Sequence, residues 1–487
     1  MRLLLVFMLL SSFVIAQQSE QKIAYKYYVG GEYSKAVSIY RDINSKQFSI
    51  GNYYPYYISL INIQRYDEAE KLAKKAYRKY PNNDGYRLEI AIAQLKNGEV
   101  EKANKVFDKV FEKNKGKKNQ TINLANTFIR YQMYEQALKM YLVSEGANPK
   151  LFFNKQKAQV YAYLAKTNLM IAEYLIALKR NPRERNAVTQ QIQRFLDNDG
   201  IKSNQNYKLV KKLLLPHVRA EESRTDFSEI LIWLFMQNHQ FELAFKQAKS
   251  LNKRKASNGE GILDLALVFL ENKYYDLAVQ AYDFVIDKGK NNPLFIEATI
   301  SKLYALTKSL NDQYFTVSDV DAAYQNAISD LGKNKNTVLL FSNYAHFKAF
   351  YLHDLEVANS ILLEAMGIPN VLKTDLASCK LEYADVMLLM GNVWESLLYY
   401  SQVEMDFKEN PIGHFAKFKR AKISYFQGNF NWAQAQLSTL KASTSKLIAN
   451  DAMQLSLLIT DNLNLDTSEL AMQLFAKADL LSYQQQY

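Results

Sequence analysis

Alanines recur in this chain at a near-constant interval. Ala36, Ala69, Ala103 and Ala137 stand 33, 34 and 34 residues apart, and Ala244 and Ala278 repeat the 34-residue step. Each has an aromatic or aliphatic residue three places earlier: Tyr33, Tyr66, Val100, Tyr134, Phe241 and Tyr275. Each has an apolar residue four places later: Tyr40, Ala73, Phe107, Tyr141, Ala248 and Tyr282. Twelve places earlier stands Ala24 before Ala36, Ala91 before Ala103, Ala125 before Ala137 and Ala266 before Ala278, whereas Tyr57 stands before Ala69. Ala433 carries Phe430, Leu437 and Ala421, while Ala358 and Ser396 are weaker copies. Positions 0, +4 and +7 share one face of a helix, as Ala69, Ala73 and Ala76 do. A helix that keeps alanine where leucine would fit must let another backbone approach closely.

Each period has room for two helices, and Pro81 and Pro149 close two of the periods. One such pair is too small to bury a stable core, so neighbouring pairs must stack. This pattern resembles the tetratricopeptide repeat (TPR) family, over roughly Gln21 to Tyr487. The family's tryptophan near the start of the first helix is mostly missing. The resemblance implies an all-α, right-handed α-solenoid of about 10–12 antiparallel helix pairs, with a concave face lined by the first helix of each pair.

The organisation along the chain follows from the anchors. A basic N-terminal array is expected over residues 17–182, with Ala172 as a degenerate anchor. An eroded helix pair fills 183–225, further pairs 226–295, and a looser unit around Ala323 and Ala327 fills 296–340. A last array occupies 341–487. There Thr467 to Tyr487 reads as an amphipathic helix, with Tyr487 in the −3 place of an anchor that would lie beyond it. The last helix is therefore expected to be uncovered, or covered by a partner, in a chain that stops mid-repeat. With 8 Pro and 16 Gly in 487 residues, little of the sequence reads as linker or disorder. The 34 Tyr and 26 Phe are absorbed at the −3 and +4 positions, as core.

The first residues, MRLLLVFMLLSSFVIAQQ, have a charged start at Arg2, an apolar stretch and small residues before Gln17. They read as a secretory signal peptide, residues 1–16, cleaved after Ala16; an uncleaved anchor is the alternative. No cysteine follows the cleavage point, so a lipid-modified terminus is not supported. The lone Cys379 cannot form an intramolecular disulfide and reads as a small buried apolar residue. Richness in Lys, Asn, Tyr and Ile without disulfides fits a bacterial periplasm, with the outer membrane a possible peripheral site.

Little in the sequence points to chemistry. His346 and His353 are seven residues apart, about 10 Å along one helix, too far to share a zinc ion. His346 also falls in the −12 place of the Ala358 repeat, so it reads as packed. His217, His239 and His414 are isolated. A glycine-rich phosphate loop, a G-x-S-x-G motif and a recognisable Cys–His arrangement are all missing. No catalytic residue, metal or cofactor is expected, and the chain reads as a non-enzyme.

Charge is distributed unevenly. Residues 17–255 hold 42 lysines and arginines against 23 aspartates and glutamates, whereas residues 256–487 hold 18 against 26. A basic half attracts anionic partners. Export removes nucleic acid from the candidates and leaves anionic lipid head groups, acidic glycans or an acidic protein. Lys115, Lys117, Lys118, Arg180, Arg183 and Arg185 form the candidate anionic-partner patch. The expected role is a protein-binding scaffold in the bacterial envelope, serving assembly or secretion machinery. The alternatives are a peptidoglycan- or glycan-binding module and a structural bridging subunit. Carrying the family's groove positions over by register, 15 and 11 residues before an anchor, gives Gln21, Tyr25, Tyr54, Ile58, Ile122, Asn126, Glu229 and Trp233 as candidate partner contacts.

Overall fold

The computed structural model describes residues 20–46, 48–197, 204–220, 224–310, 315–441, 445–465 and 469–485. The segment read as a signal peptide and Tyr487 lie outside the described residues. The chain divides into two compact units, Met1–Glu221 and Glu222–Tyr487. Among the described residues there are helices and turns and no strand.

The first unit consists of consecutive antiparallel pairs: α1 (20–29) with α2 (Tyr33–Lys46), α3 (Ile50–Asn62) with α4 (Tyr66–Lys79), and α5 (Asp84–Lys96) with α6 (Val100–Asn114). Next come α7 (Lys118–Arg130) with α8 (Tyr134–Ala147) and α9 (Asn154–Tyr163) with α10 (Thr167–Arg180). After a short 3-10 turn, Pro182–Glu184, the unit ends in α11 (Arg185–Asp197) and α12 (Gln205–Ala220), which touch each other sparsely.

The second unit repeats the plan with α13 (Asp226–Gln237) and α14 (Phe241–Lys255), α15 (Glu260–Glu271) and α16 (Tyr275–Ile286), and the looser α17 (Phe295–Ser309) and α18 (Val317–Leu331). It continues through α19 (Val338–Phe350) and α20 (Leu355–Met366), α21 (Lys373–Leu389) and α22 (Val393–Asp406), and α23 (Pro411–Phe426) and α24 (Phe430–Leu440). A long helix, α25 (Lys446–Leu465), and a final one, α26 (Leu470–Tyr483), complete it.

The spacing that organises the sequence organises the core. Ala36, Ala69, Ala103, Ala137, Ala244, Ala278, Ala358, Ser396 and Ala433 each stand fourth in the second helix of a pair, and each is fully buried. The +4 residues Tyr40, Tyr141, Tyr282 and Tyr400 are among the largest fully buried side chains. Small residues bring two backbones together, and one turn later a tyrosine fills the space beside them.

Two anchors differ from expectation. The fourth residue of α10 is Met170, which is buried, while Ala172 is only half-buried. In α18 the fourth residue is Val320, followed by Tyr324 at +4, with Ala323 half-buried beside them. The slot thus accepts methionine or valine as well as alanine, so alanine alone does not mark it.

A backbone feature fixes the same register. Five places before the anchor, in the turn between the two helices, the chain is left-handed in ten pairs: at Gly31, Gln64, Gly98, Gln132, Ala165, His239, Lys273, His353, Gly391 and Gly428. The next amide commonly reaches back to close the first helix, as Arg65 N–H does to the Leu60 carbonyl at 2.9 Å and Lys166 N–H to that of Tyr161 at 2.9 Å. This is a Schellman-type ending. The opposite turn uses Asn-Pro in four places, where Asn148, Asn181, Asn292 and Asn410 accept from the amide two residues on. The side chain mimics a backbone turn, and Pro182 and Pro411 start the next helical segment.

The last helix departs from the pattern. α25 packs on α24 and α23 as a further first helix would, but α26 barely touches α25 and lies against α23 instead. Met472 and Ala476 are buried there, so the expectation of an uncovered last helix is corrected on that face. Its other side carries Leu470, Leu474 and Phe475, all more than half exposed.

Candidate partner-binding face

The first helices share a face, and the register puts the candidate contacts on it. Gln21 and Tyr25 stand on α1, Tyr54 and Ile58 on α3, and Ile122 and Asn126 on α7, all in the first unit. Tyr25 and Asn126 are exposed and the other four half-buried. Glu229 and Trp233 stand on α13 of the second unit, also half-buried, and Glu229 pairs with Lys255 of α14 at 2.5 Å. The candidates thus fall into two separate groups.

In the first unit a buried carboxylate ties this face together. Glu89 of α5 is 2% exposed, and its oxygens accept from the Tyr53 hydroxyl of α3 at 2.5 Å and the Tyr131 hydroxyl, just after α7, at 2.9 Å. Tyr57 donates to the Glu89 backbone carbonyl at 2.5 Å. Three successive first helices are therefore joined through one residue. Burial pushes the Glu89 carboxyl up to about 7, against the opposing pull of the two hydroxyl bonds. The same burial, reinforced by the carboxylate, raises Tyr53 and Tyr131 far above the usual tyrosine range, so both stay protonated donors.

Above this cluster the Arg130 guanidinium of α7 stacks over the Tyr54 ring of α3, 4.2 Å from its centroid. The Tyr54 hydroxyl is buried and has no hydrogen-bond partner among the described residues. Tyr25, 54% exposed, packs its ring against Tyr28 at 5.8 Å between centroids. The arrangement offers aromatic surface and one exposed cation on a rigid base, which suits binding by contact. Sequence reasoning missed both Arg130 and Glu89. An acid inside the apolar run LEIAIAQL, Leu88 to Leu95, was the available signal for Glu89.

The six basic candidates occupy one edge of the first unit. Because helices alternate in direction, every second-to-first turn falls on the same side, and Lys115, Lys117 and Lys118 stand at the α6–α7 turn and Arg180, Arg183 and Arg185 around the α10–α11 turn. All six are exposed. Lys115 pairs with Glu112 at 2.5 Å, Lys117 donates to the Lys113 carbonyl, and Arg180 lies over the Phe152 ring.

Two depressions lie on the surface of the described residues. One of about 380 Å³ in the first unit is lined by Lys155 and Gln159 of α9, Tyr174 of α10, and Gln191 and Arg194 of α11. A larger one, about 1040 Å³ in the second unit, lies between α14 and α16, where Phe241, Phe245, Lys246, Lys249 and Tyr274 line it. It belongs to second helices and their turns, away from the candidate contacts.

His346 Nδ1 lies 2.8 Å from Glu382 and its ring stacks on Phe350, while His239 and His353 are left-handed turn residues. Cys379 is fully buried, and burial pushes its thiol up to about 12. Among the described residues no three His, Cys, Asp or Glu side chains gather as a metal site would require, and no helix is long and apolar enough to cross a membrane.

Residues 64–120, which span α4, α5 and α6, match the tetratricopeptide repeat family. No curated protein matches the chain. Several solved structures are similar to it. Naa15/Naa10 bound to HypK-THB matches at 13% identity and a TM-score of 0.34, covering 96% of this chain and 80% of that one. Yeast Tom70 matches at 11% identity and a TM-score of 0.38, covering 95% and 99%. The APC/C hetero-tetramer Cut9–Hcn1 matches at 11% identity and a TM-score of 0.34, covering 92% and 98%.

Proposed function

We propose that this chain is a non-catalytic scaffold of the bacterial envelope that holds a protein partner on the first-helix face of its first unit. The observation that carries the reading is the Arg130–Tyr54 pair, set on helices α3 and α7 that Glu89 joins, with Tyr25 exposed on α1. It presents aromatic area and an arginine at low entropic cost, the composition in which binding hot spots are found. The reading of residues 1–16 as an export signal supports a periplasmic scaffold that serves assembly or secretion machinery. The basic edge supplies a second contact, with an anionic surface or an acidic envelope component. What favours this contact is that all six basic candidates are exposed on one edge.

In-cell photo-cross-linking tests the proposal. A cross-linker at Tyr25, Tyr54 or Asn126 should capture one discrete protein, identifiable by mass spectrometry, while one at exposed Leu142 on α8 should not. Equal capture from both faces, or none from the first, would sink it. For the basic edge, replacing all six residues by Gln should weaken binding to anionic vesicles, and wild-type binding should fall as the Debye length shortens from about 30 Å at 0.01 M salt to about 8 Å at 0.15 M. Binding indifferent to salt would rule the edge out.

A further inference from the structure

Where α26 lies against the second unit, it covers first-helix positions that the register marks as contacts. Asp385 of α21 and Lys422 of α23 stand 11 residues before Ser396 and Ala433, the place held by Tyr25, Ile58 and Asn126 in the first unit. Asp385 accepts from the Tyr483 hydroxyl at the end of α26 at 2.9 Å. The same oxygen takes the Tyr400 hydroxyl of α22 at 2.5 Å, and Lys419 of α23 pairs with it at 2.7 Å. Gln484 donates to the Leu388 carbonyl of α21 at 2.8 Å. Lys422 lies over the Tyr483 ring, 5.8 Å from its centroid, and Phe426 packs beside that ring at 6.2 Å. Farther up the helix, Ala476 is completely buried and Met472 nearly so, with Leu480 packed against the same cluster.

We propose that the first-helix face of α21 and α23 is a binding site for an amphipathic helix, and that α26 is its resident ligand in cis. The site selects apolar residues at i, i+4 and i+8, met here by Met472, Ala476 and Leu480. It selects a tyrosine at i+11, met by Tyr483, whose hydroxyl completes the bonds to Asp385. A partner helix of that pattern binds by displacing α26. Three observations favour a displaceable helix over a fixed part of the core. α26 scarcely touches its sequence neighbour α25. Its opposite side leaves Leu470, Leu474 and Phe475 exposed. Its polar anchors, Tyr483 and Gln484, reach residues 98 and 96 positions away, so its hold on the unit is tertiary. The inference rests on the reading of the first-helix face as a binding surface, here in the second unit.

The test uses the full chain and, as probe, a fluorescein-labelled synthetic peptide of residues 469–485. Tethering gives α26 an effective concentration in the millimolar range, so wild-type chain should bind the peptide at least roughly tenfold more weakly than an Ala476→Glu, Leu480→Glu chain whose own helix no longer fits. Adding Asp385→Ala and Lys422→Glu to that variant should abolish the gain. Equal peptide binding by wild type and a normally helical variant overturns the proposal. Should the variant not fold, hydrogen exchange on the wild type decides. Amides of α26 exchanging as a group ahead of α21 and α23 support a displaceable helix, and exchange in step with them overturns it. A negative result here, with cross-links from Tyr25 and Tyr54 intact, removes the cis-ligand and leaves the first unit's role standing.

Discussion

Ala165 takes φ +54° in the turn where Gly31, Gly98, Gly391 and Gly428 supply glycine. A left-handed conformation costs an L-residue roughly 1 kcal/mol, and glycine avoids that cost. Ala165→Gly should therefore stabilise the first unit by about 0.5–1 kcal/mol, seen as a higher denaturation midpoint at unchanged slope; a lower midpoint would contradict it. Six of the ten turns lack glycine, which is why the turn was not legible in the sequence although the anchor five residues later was. Glu89 leads to a pH prediction. Its folded carboxyl titrates at about 7 and an unperturbed one near 4.5, so between those values the folded chain keeps a proton that the unfolded chain has lost. Its contribution to stability thus declines as pH rises from about 4.5 to about 7 and is level above. Glu89→Gln should remove that decline, measured as the difference between wild-type and variant unfolding at pH 5 and pH 7.5. A difference independent of pH would place the Glu89 proton elsewhere.

At one handover from a second helix to the next first helix, α22 to α23, the two backbones come very close. Gly413 lies in the first turn of α23, and a Cβ there would stand 2.0 Å from the carbonyl oxygen of Phe407, the residue that ends α22. Backbone cannot move aside as a side chain can, so Gly413→Ala should lower stability by about 1–3 kcal/mol, checked by thermal unfolding; a neutral effect would mean that the two helix ends separate freely. At this scale the alanine anchors were legible because close backbone approach excludes larger residues. Met170 and Val320 were not, since a larger residue in the slot carries no small-residue signature. The course of α26 was illegible for another reason. Its own periodicity suits an ordinary helix of the array, and only the Tyr483–Asp385 and Gln484–Leu388 bonds, across 98 and 96 residues, show that it crosses onto α21.

Across the whole chain, the two units share one repeat and differ in charge, the basic excess lying in residues 17–255. The candidate face was partly legible. The −15 and −11 rule located Tyr25 and Tyr54, and it extends to Asp385 and Lys422. Pairings between helices, such as Arg130 over Tyr54 or Tyr53 and Tyr131 on Glu89, join residues 36 to 76 positions apart and needed the structure. Everything proposed for the first unit turns on whether it binds a protein through this face. Calorimetric titration of the protein cross-linked at Tyr54 against wild-type chain and a Tyr25→Ala, Tyr54→Ala, Arg130→Ala chain tests it most directly. Loss of about 2 kcal/mol or more, roughly 30-fold in affinity, with an unchanged melting temperature is the predicted result. Equal affinity of the two chains would contradict the claim.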